Sequence, residues 1–253
     1  MESVKDFFTS GAIKNIQTLL VDCDGVLYDD AQCTNQDMQE AIDKTLTSFH
    51  IPPEMFAKTR AELKNVGIRG LFNSALDLCY RYHVLFDDFA EKMVANTNYS
   101  KISSDPEMIE LLKKAAQVMQ ICIVTNNTAP HLKKIFDCLR GKPGKDDLET
   151  ELGIQVITIE NTLYDDSSAG RKIFHPKQKD GQFARICSIL EQESAKVGML
   201  DDTERIRNKA QKQGLVPIPT EGPADTKDVL RQVIEIKGKE NEKINFTRFI
   251  PVR

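Results

Sequence analysis

The sequence predicts a Rossmann-like α/β fold, a three-layer parallel sheet with an inserted all-helical domain. Two observations support this prediction. Short apolar runs of strand length alternate with segments of helical periodicity over the second half of the chain. The interval between the first two strand-like runs is too long for a single crossover, and it has helical periodicity throughout. An insertion after the first strand accounts for that length.

Five apolar runs have the length and composition of buried strands. They are Gln17–Val21, Met119–Val124, Ile154–Ile159, Lys196–Leu200 and Leu215–Ile218. Apolar residues at helical spacing predict helices in the core and in the insertion. The core helices are Ala129–Arg140, Gly181–Glu193, Thr203–Gln213 and Asp225–Glu235, and the inserted ones are Asp37–Phe49, Glu54–Val66, Leu71–Tyr82 and Phe86–Asn96. Asp105-Pro106 gives a helix start that leads back into the core.

These elements divide the chain into three parts. Residues 1–30 and 105–236 form the predicted α/β core, and residues 31–104 form the inserted helical domain. Residues 237–253 form a polar tail, because the chain from Lys237 onwards is polar and mixed in charge, as in a linker. Lys172–Phe174 is also strand-like, and we expect it at the edge of the sheet.

Composition excludes several classes of protein. The net charge of -4 gives no basic field for a nucleic acid polymer. The chain has no long apolar run of transmembrane length and no signal-like segment. Its six cysteines form no C-x-x-C pair, and several lie in apolar runs. They indicate reduced thiols and a cytoplasmic location, while secretion or delivery into another cell stays open.

Two carboxylates follow the first strand, in the stretch Asp22-Cys23-Asp24-Gly25. In open α/β sheets ligands bind at the carboxyl ends of the strands. Two close carboxylates repel each other, and a bound divalent cation would remove that repulsion. A calcium loop would require an acidic ligand at the twelfth position, where this chain has Cys33. An acidic surface turn is the structural alternative.

Further polar groups follow other predicted strands. Thr125 and the backbone around Asn126 could hold a phosphate oxygen, or could simply cap the next helix. Asp201-Asp202 adds a second acidic pair suited to Mg²⁺, although one acid there could be a helix cap.

A lysine precedes the helix that contains Phe183. A fixed cation there would offset the repulsion between a carboxylate nucleophile and a phosphate. Lys177 and Lys179 are both candidates, and an ordinary solvated lysine is the alternative interpretation.

Together these segments resemble the four motifs of the haloacid dehalogenase superfamily over about residues 15–220. The resemblance implies that residues 31–104 are a helical cap. Tyr99 to Glu107, Thr125 to Asn127 and His131 are similar to the pyrimidine 5′-nucleotidase branch. The family usually has Lys-Pro, whereas this chain has His175-Pro176-Lys177. Lys177 has the family spacing to the helix, and the inverted order leaves Lys179 as the alternative.

The resemblance implies a Mg²⁺-dependent phosphatase that works through an aspartyl-phosphate. Asp22 would be the nucleophile, Asp24 the general acid and base, and Lys177 the stabilising cation. Thr125 and Asn126 would bind the phosphoryl group. The metal ligands would be Asp22, the backbone carbonyl of Asp24, Asp202 and, directly or through water, Asp201. Dehalogenases of the superfamily lack the second Asp of the first motif, so Asp24 favours phosphate chemistry.

The sequence leaves the substrate open. A nucleoside monophosphate or another small phosphometabolite is the first expectation, from the branch resemblance. Phosphotyrosine in a peptide or protein is the second, because an open helical cap would admit a flat aryl group. A binding or scaffold protein that has lost turnover is the third.

Overall fold

The structure is a computed structural model that describes residues 7–8, 11–144, 147–166, 171–177 and 179–248. Its centre is a sheet of five parallel strands in the order β3-β2-β1-β6-β7. These strands are β1 (Thr18–Val21), β2 (Gln120–Val124), β3 (Gln155–Ile157), β6 (Val197–Leu200) and β7 (Val216–Ile218). Each lies inside a predicted run, and the predicted parallel α/β fold is confirmed.

Both faces of the sheet are covered. Leu19 and Val21 pack into a core on one face, while Leu20 between them packs into a core on the other. Alternating side chains of a strand point to opposite faces, so a strand that is apolar at every position needs helices on both sides. The helices that supply these cores are α5 (Pro106–Ala116), α6 (Ala129–Arg140), α7 (Leu148–Leu152), α8 (Gln182–Ile189), α9 (Glu204–Lys212) and α10 (Pro223–Arg248).

The strand order reverses direction beside β1. From β1 the chain builds outward to β2 and β3, and it then crosses to β6 and β7 on the other side. Such a reversal opens a crevice at the carboxyl ends of the two neighbouring strands, where α/β proteins bind ligands. Here those strands are β1 and β6, and the residues that follow them are Asp22 and Asp201.

Four helices lie between β1 and α5. They are α1 (Asn35–Ser48), α2 (Glu54–Asn65), α3 (Leu71–Tyr82) and α4 (Phe86–Asn96), close to the predicted bounds. A capping box between Thr34 and Asp37 starts α1. The four helices share an apolar core of their own, which also contains Ile159 and Phe174. The insertion therefore packs against the main body through that core.

A short hairpin was not predicted as a separate sheet. Strands β4 (Leu163–Asp166) and β5 (Arg171–Phe174) pair antiparallel, apart from the five-stranded sheet. The expectation that Lys172–Phe174 lies at the edge of the main sheet is therefore wrong. The segment pairs elsewhere because β4 is close to β5 in sequence, and the two strands form a local antiparallel ladder.

The predicted polar tail is also corrected. Instead of a linker beginning at Lys237, α10 continues without a break to Arg248. Lys237 itself is buried, and its ammonium donates to the Lys14 carbonyl at 2.6 Å and pairs with Glu240 at 3.0 Å. Residues 249–253 of the predicted tail lie outside the described residues. Within the described part of the chain, no helix is long and apolar enough to cross a membrane.

Candidate active site

A buried lysine bridges two carboxylates at the reversal point of the sheet. The Lys177 ammonium lies 2.6 Å from Oδ2 of Asp22 and 2.9 Å from Oδ2 of Asp201. Asp201 is fully buried, and Lys177 is 4% exposed. Buried charges are tolerated only when they are paired. The fold therefore requires the Lys177 ammonium and the two carboxylates together.

Strand register explains why the two carboxylates meet. Val21 in β1 is opposite Leu200 in β6, so the next residues, Asp22 and Asp201, leave the sheet at the same level. The Asp22 amide donates to the Leu200 carbonyl at 2.9 Å, which extends the pairing by one residue. Asp22 Oδ1 accepts from the Cys23 amide at 2.7 Å, and this bond fixes the carboxylate.

Lys177 lies in the loop between β5 and α8. Its amide donates to Oδ1 of Asn126 at 2.8 Å, which ties this loop to the end of β2. Lys179 is exposed, and its amide donates to the Pro176 carbonyl in a turn. Of the two candidate lysines, the structure brings only Lys177 to the carboxylates.

The charges of this centre perturb one another. Burial acts to lower the pKa of Lys177, but the carboxylates of Asp22 and Asp201 outweigh it, and the pKa lies above its ordinary value. Burial raises the pKa of Asp22, against the attraction of the Lys177 ammonium and with further repulsion from Asp201. Burial and the neighbouring Asp201 also raise the pKa of Asp202. One ammonium thus faces the carboxylates of Asp22, Asp201 and Asp202, two of which have a pKa raised mainly by burial.

A metal ion would supply the missing charge. Asp22, Asp201 and Asp202 each offer a carboxylate oxygen, and these oxygens lie within 4.8 Å of one another. Hard oxygen donors of this kind suit Mg²⁺. Gly25 lies against this cluster with φ +69°, and a Cβ there would lie 2.7 Å from Cγ of Asp202. The glycine is needed for its backbone conformation and for the space that it leaves.

Two further residues hold the acidic loop. The Arg207 guanidinium in α9 donates to the carbonyls of Asp201 and Asp202, at 2.5 and 2.8 Å. The Thr203 amide donates to Oδ1 of Asp201 at 2.9 Å. The first two bonds satisfy backbone carbonyls of the loop, and the third holds the Asp201 carboxylate in place beside Lys177.

Asp24 lies in a different environment. Oδ1 of Asp24 accepts a hydrogen bond from the Tyr28 hydroxyl, and Oδ2 accepts one from the side-chain amide of Asn127. Both distances are 2.5 Å. Nε2 of the buried His131 is 3.8 Å from Oδ1. Burial acts to raise the pKa of Asp24, but the His131 ring and the Tyr28 hydroxyl outweigh it and hold the pKa below its ordinary value. Asp24 is therefore a carboxylate at neutral pH, with a side chain that is 40% exposed.

The predicted phosphate-binding residues lie at the end of β2. Thr125 is buried, and its Oγ1 accepts from the Asn127 amide at 3.1 Å, so the turn curls around the hydroxyl. Since β2 pairs directly with β1, this turn follows the strand beside the one that carries Asp22. All the predicted site residues therefore lie in segments at one end of the five-stranded sheet.

Four contributors received no role from the sequence: Tyr28, Asn127, His131 and Arg207. The first three stand inside or near recognised motifs but contact Asp24 from different elements. Arg207 is one of several cations on a polar helix, and no local pattern distinguishes it. The arrangement as a whole offers a fixed carboxylate, a buried cation, a second carboxylate and a set of metal ligands in one crevice.

Comparisons with known proteins found only solved structures of low similarity. No family model matches the chain, and no curated protein matches it. CbbY from Rhodobacter sphaeroides, solved with phosphate, is 14% identical with a TM-score of 0.48, covering 80% of this chain and 84% of that one. An HAD-family enzyme from Bacteroides thetaiotaomicron, solved with magnesium and inorganic phosphate, is 16% identical with a TM-score of 0.44, covering 81% and 93%. Because these values are low, nothing about the reaction is carried over from them.

Proposed function

We propose that this chain is a Mg²⁺-dependent phosphomonoester hydrolase of the haloacid dehalogenase superfamily. The observation that carries the proposal is the buried Lys177 between Asp22 and Asp201, beside carboxylates that fit a divalent cation. A nucleophile, a fixed cation and a metal site in one crevice are the parts that phosphoryl transfer requires. The motif resemblance points to the same chemistry.

In the first half of the proposed reaction, a carboxylate oxygen of Asp22 attacks phosphorus. The bond between phosphorus and the ester oxygen breaks, and that oxygen takes a proton from Asp24. The pKa of Asp24 lies below its ordinary value, so this step requires that the anionic phosphate raise it on binding nearby. Lys177 stabilises the negative charge on the transferring group.

In the second half, Asp24 acts as the base. It takes a proton from water, the water oxygen attacks phosphorus, and the bond to Asp22 breaks to release inorganic phosphate. The hydrogen bonds from Tyr28 and Asn127 orient the Asp24 carboxylate for both proton transfers. Thr125 and the backbone near Asn126 bind the remaining phosphoryl oxygens.

Asp22, Asp201, Asp202 and the Asp24 carbonyl would hold Mg²⁺. When bound, the ion neutralises charge on the phosphoryl group and offsets the repulsion among these carboxylates. Burial raises the pKa values of Asp22 and Asp202, and the repulsion from Asp201 raises them further.

For the substrate, the branch resemblance favours a nucleoside monophosphate or another small phosphometabolite. Phosphotyrosine in a peptide is the alternative within the same chemistry. A binding protein without turnover is the alternative without this chemistry. The intact set of carboxylates and lysine makes that alternative the weaker one.

Hydrolysis of p-nitrophenyl phosphate tests the proposed function. We expect activity with Mg²⁺, none with EDTA, and poor recovery with Ca²⁺, which takes more ligands at longer distances. Circular dichroism in EDTA should show a folded protein, so that loss of activity is not loss of structure. Full activity in EDTA would refute the metal-dependent mechanism, and no activity with any metal would favour the binding-protein alternative.

A further inference from the structure

Two cavities of opposite charge meet beside the catalytic crevice. The first has a volume of about 310 Å³ and is lined by Asp24 and Asp30, among others; we call it the acidic cavity. The second, of about 430 Å³, lies between the inserted helices and the main body; we call it the arginine cleft, after Arg69 and Arg205. Asn127 lines both.

The arginine cleft carries positive charge that the protein leaves uncompensated. Its lining has no Asp or Glu among the described residues. Neither Arg69 nor Arg205 makes an ion pair with any residue that the structure describes. Lys177, by contrast, is paired with two carboxylates. Two free guanidinium groups on one cleft are suited to bind an anion.

The floor of the cleft is apolar. Phe72, Ile159 and Phe174 are all buried beneath it, and Met38 and Leu71 contribute from the inserted helices. A ligand that fills the cleft would therefore bring an apolar body together with its negative charge.

One wall of the cleft is rigidly built. The buried side chain of Asn73 donates to the carbonyls of Arg69 and Phe174, at 2.9 and 3.0 Å, and accepts from the Phe174 amide at 2.7 Å. These bonds join the start of α3 to β5. They fix the backbone of Arg69 relative to the loop that carries Lys177, which follows β5 by three residues.

The arginine cleft also adjoins the residues to which we assign the reaction. Asn126 and Pro176 line it, and they adjoin the phosphate-binding turn and Lys177. Asn127, which lines it as well, donates to Asp24, the group that protonates the leaving oxygen. A leaving group whose ester oxygen lies at Asp24 can thus extend into the arginine cleft.

We propose that the preferred substrate is a phosphomonoester whose leaving group has an apolar body and a second anionic group, bound by Arg69 and Arg205. This inference rests on the proposed hydrolase function and specifies its substrate class. A nucleoside monophosphate with a neutral base lacks the second anion and is expected to be a poorer substrate.

Matched substrates test this directly. We would compare kcat/KM for phenyl phosphate and 4-carboxyphenyl phosphate, and for uridine and orotidine 5′-monophosphate, each pair differing by one carboxylate. The carboxylated member should be preferred about tenfold, with the preference falling at high salt. Arg69→Ala and Arg205→Ala should each remove most of that preference, because kcat/KM should fall much more for the carboxylated member of each pair than for its partner. The control Arg60→Ala, an exposed arginine of α2 outside the cleft, should change neither.

Binding separates this inference from the proposed function. Calorimetry with benzylphosphonate and (4-carboxybenzyl)phosphonate, which cannot be hydrolysed, should show the same preference and the same loss in both variants. If hydrolysis is absent but the binding preference holds, the cleft assignment stands and the hydrolase proposal fails. Equal kcat/KM and equal binding for both members of each pair would overturn the cleft assignment. Equal losses for both members in the Arg69→Ala and Arg205→Ala variants would also overturn it.

Discussion

The crevice around Lys177, where we propose catalysis, and the arginine cleft lie side by side, but their charged groups have opposite surroundings. In the crevice, Lys177 is buried and held by two carboxylates. In the cleft, Arg69 and Arg205 are exposed and make no ion pair with described residues. A charge that is fixed by its neighbours is preorganised for a transition state. A charge that is left free is available to select a ligand, and it is weakened by salt.

This difference predicts two kinds of mutant. Changes in the crevice should lower turnover for every phosphomonoester, since all of them share the phosphoryl group. Changes in the cleft should alter the choice among substrates, with much smaller losses for substrates that lack a second anionic group.

Asp22→Asn should abolish turnover and preserve the fold. The amide retains the size of the side chain and the bond from the Cys23 amide, but it loses the nucleophilic charge and a metal ligand. Activity on p-nitrophenyl phosphate and far-UV circular dichroism would measure the two effects. Asp88→Asn, on the exposed start of α4, is the matched control. Substantial residual activity in pure Asp22→Asn protein would rule out this nucleophile.

Asp24→Asn should slow steady-state turnover by about 10²–10⁴, the usual value of a general acid or base. With p-nitrophenyl phosphate, whose leaving group needs little protonation, the first half-reaction should persist. A burst approaching one p-nitrophenol per enzyme molecule should then precede slow turnover. An alkyl phosphate, whose leaving oxygen needs the proton, should give no burst. Slow linear release of p-nitrophenol from the start would contradict the assignment of Asp24 to the second half-reaction.

Lys177→Ala should reduce kcat by about 10²–10³, as for loss of one preorganised donor, whereas exposed Lys179→Ala should have little effect. The Lys177 variant should also be less stable without metal, because it leaves two carboxylates buried beside each other. Thermal unfolding with and without Mg²⁺ would show this, and Mg²⁺ should restore part of the loss. A dead Lys179→Ala variant with an active Lys177→Ala variant would reverse the assignment.

The sequence was sufficient for the centre of the crevice because its signals are local. Asp22, Thr125 and Asp201 each follow an apolar strand, and parallel strands bring their carboxyl ends to one edge. The order of the strands depends on which strands pair with β1, and no single segment encodes that choice. The family spacing favoured Lys177, and the bond between its amide and Asn126 shows how the loop brings it to the crevice.

The surroundings of the crevice were not predictable in the same way. Asn73 bonds to Phe174 across 101 residues, and the apolar pattern of α3 gives no sign of it. The hairpin β4–β5 is short, and its strand-like half could equally have joined the main sheet. The contacts of Asn127 and His131 with Asp24 depend on where α6 packs. These features come from tertiary packing, which periodicity does not report.

The smallest of the effects predicted for the crevice concerns Arg207, which touches neither phosphate nor metal in the proposed mechanism. Its guanidinium donates to the carbonyls of Asp201, Asp202 and Thr220, and so it positions the acidic loop. Arg207→Ala should raise the Mg²⁺ concentration for half-maximal activity about tenfold, as expected for a group that orients metal ligands. Because the ligands themselves remain, kcat at saturating Mg²⁺ should be nearly normal.

This division between Mg²⁺ affinity and kcat distinguishes positioning from general destabilisation. Lys212→Ala removes an exposed cation from the same helix and should leave the Mg²⁺ dependence unchanged. Arg207→Lys retains the charge and N–H donors, but on a shorter side chain, so its Mg²⁺ requirement should lie between those of the wild type and Arg207→Ala. A fall in kcat that excess Mg²⁺ does not restore would show that Arg207 does more than hold the loop. An unchanged Mg²⁺ requirement in Arg207→Ala would show that the two aspartates keep their positions without it.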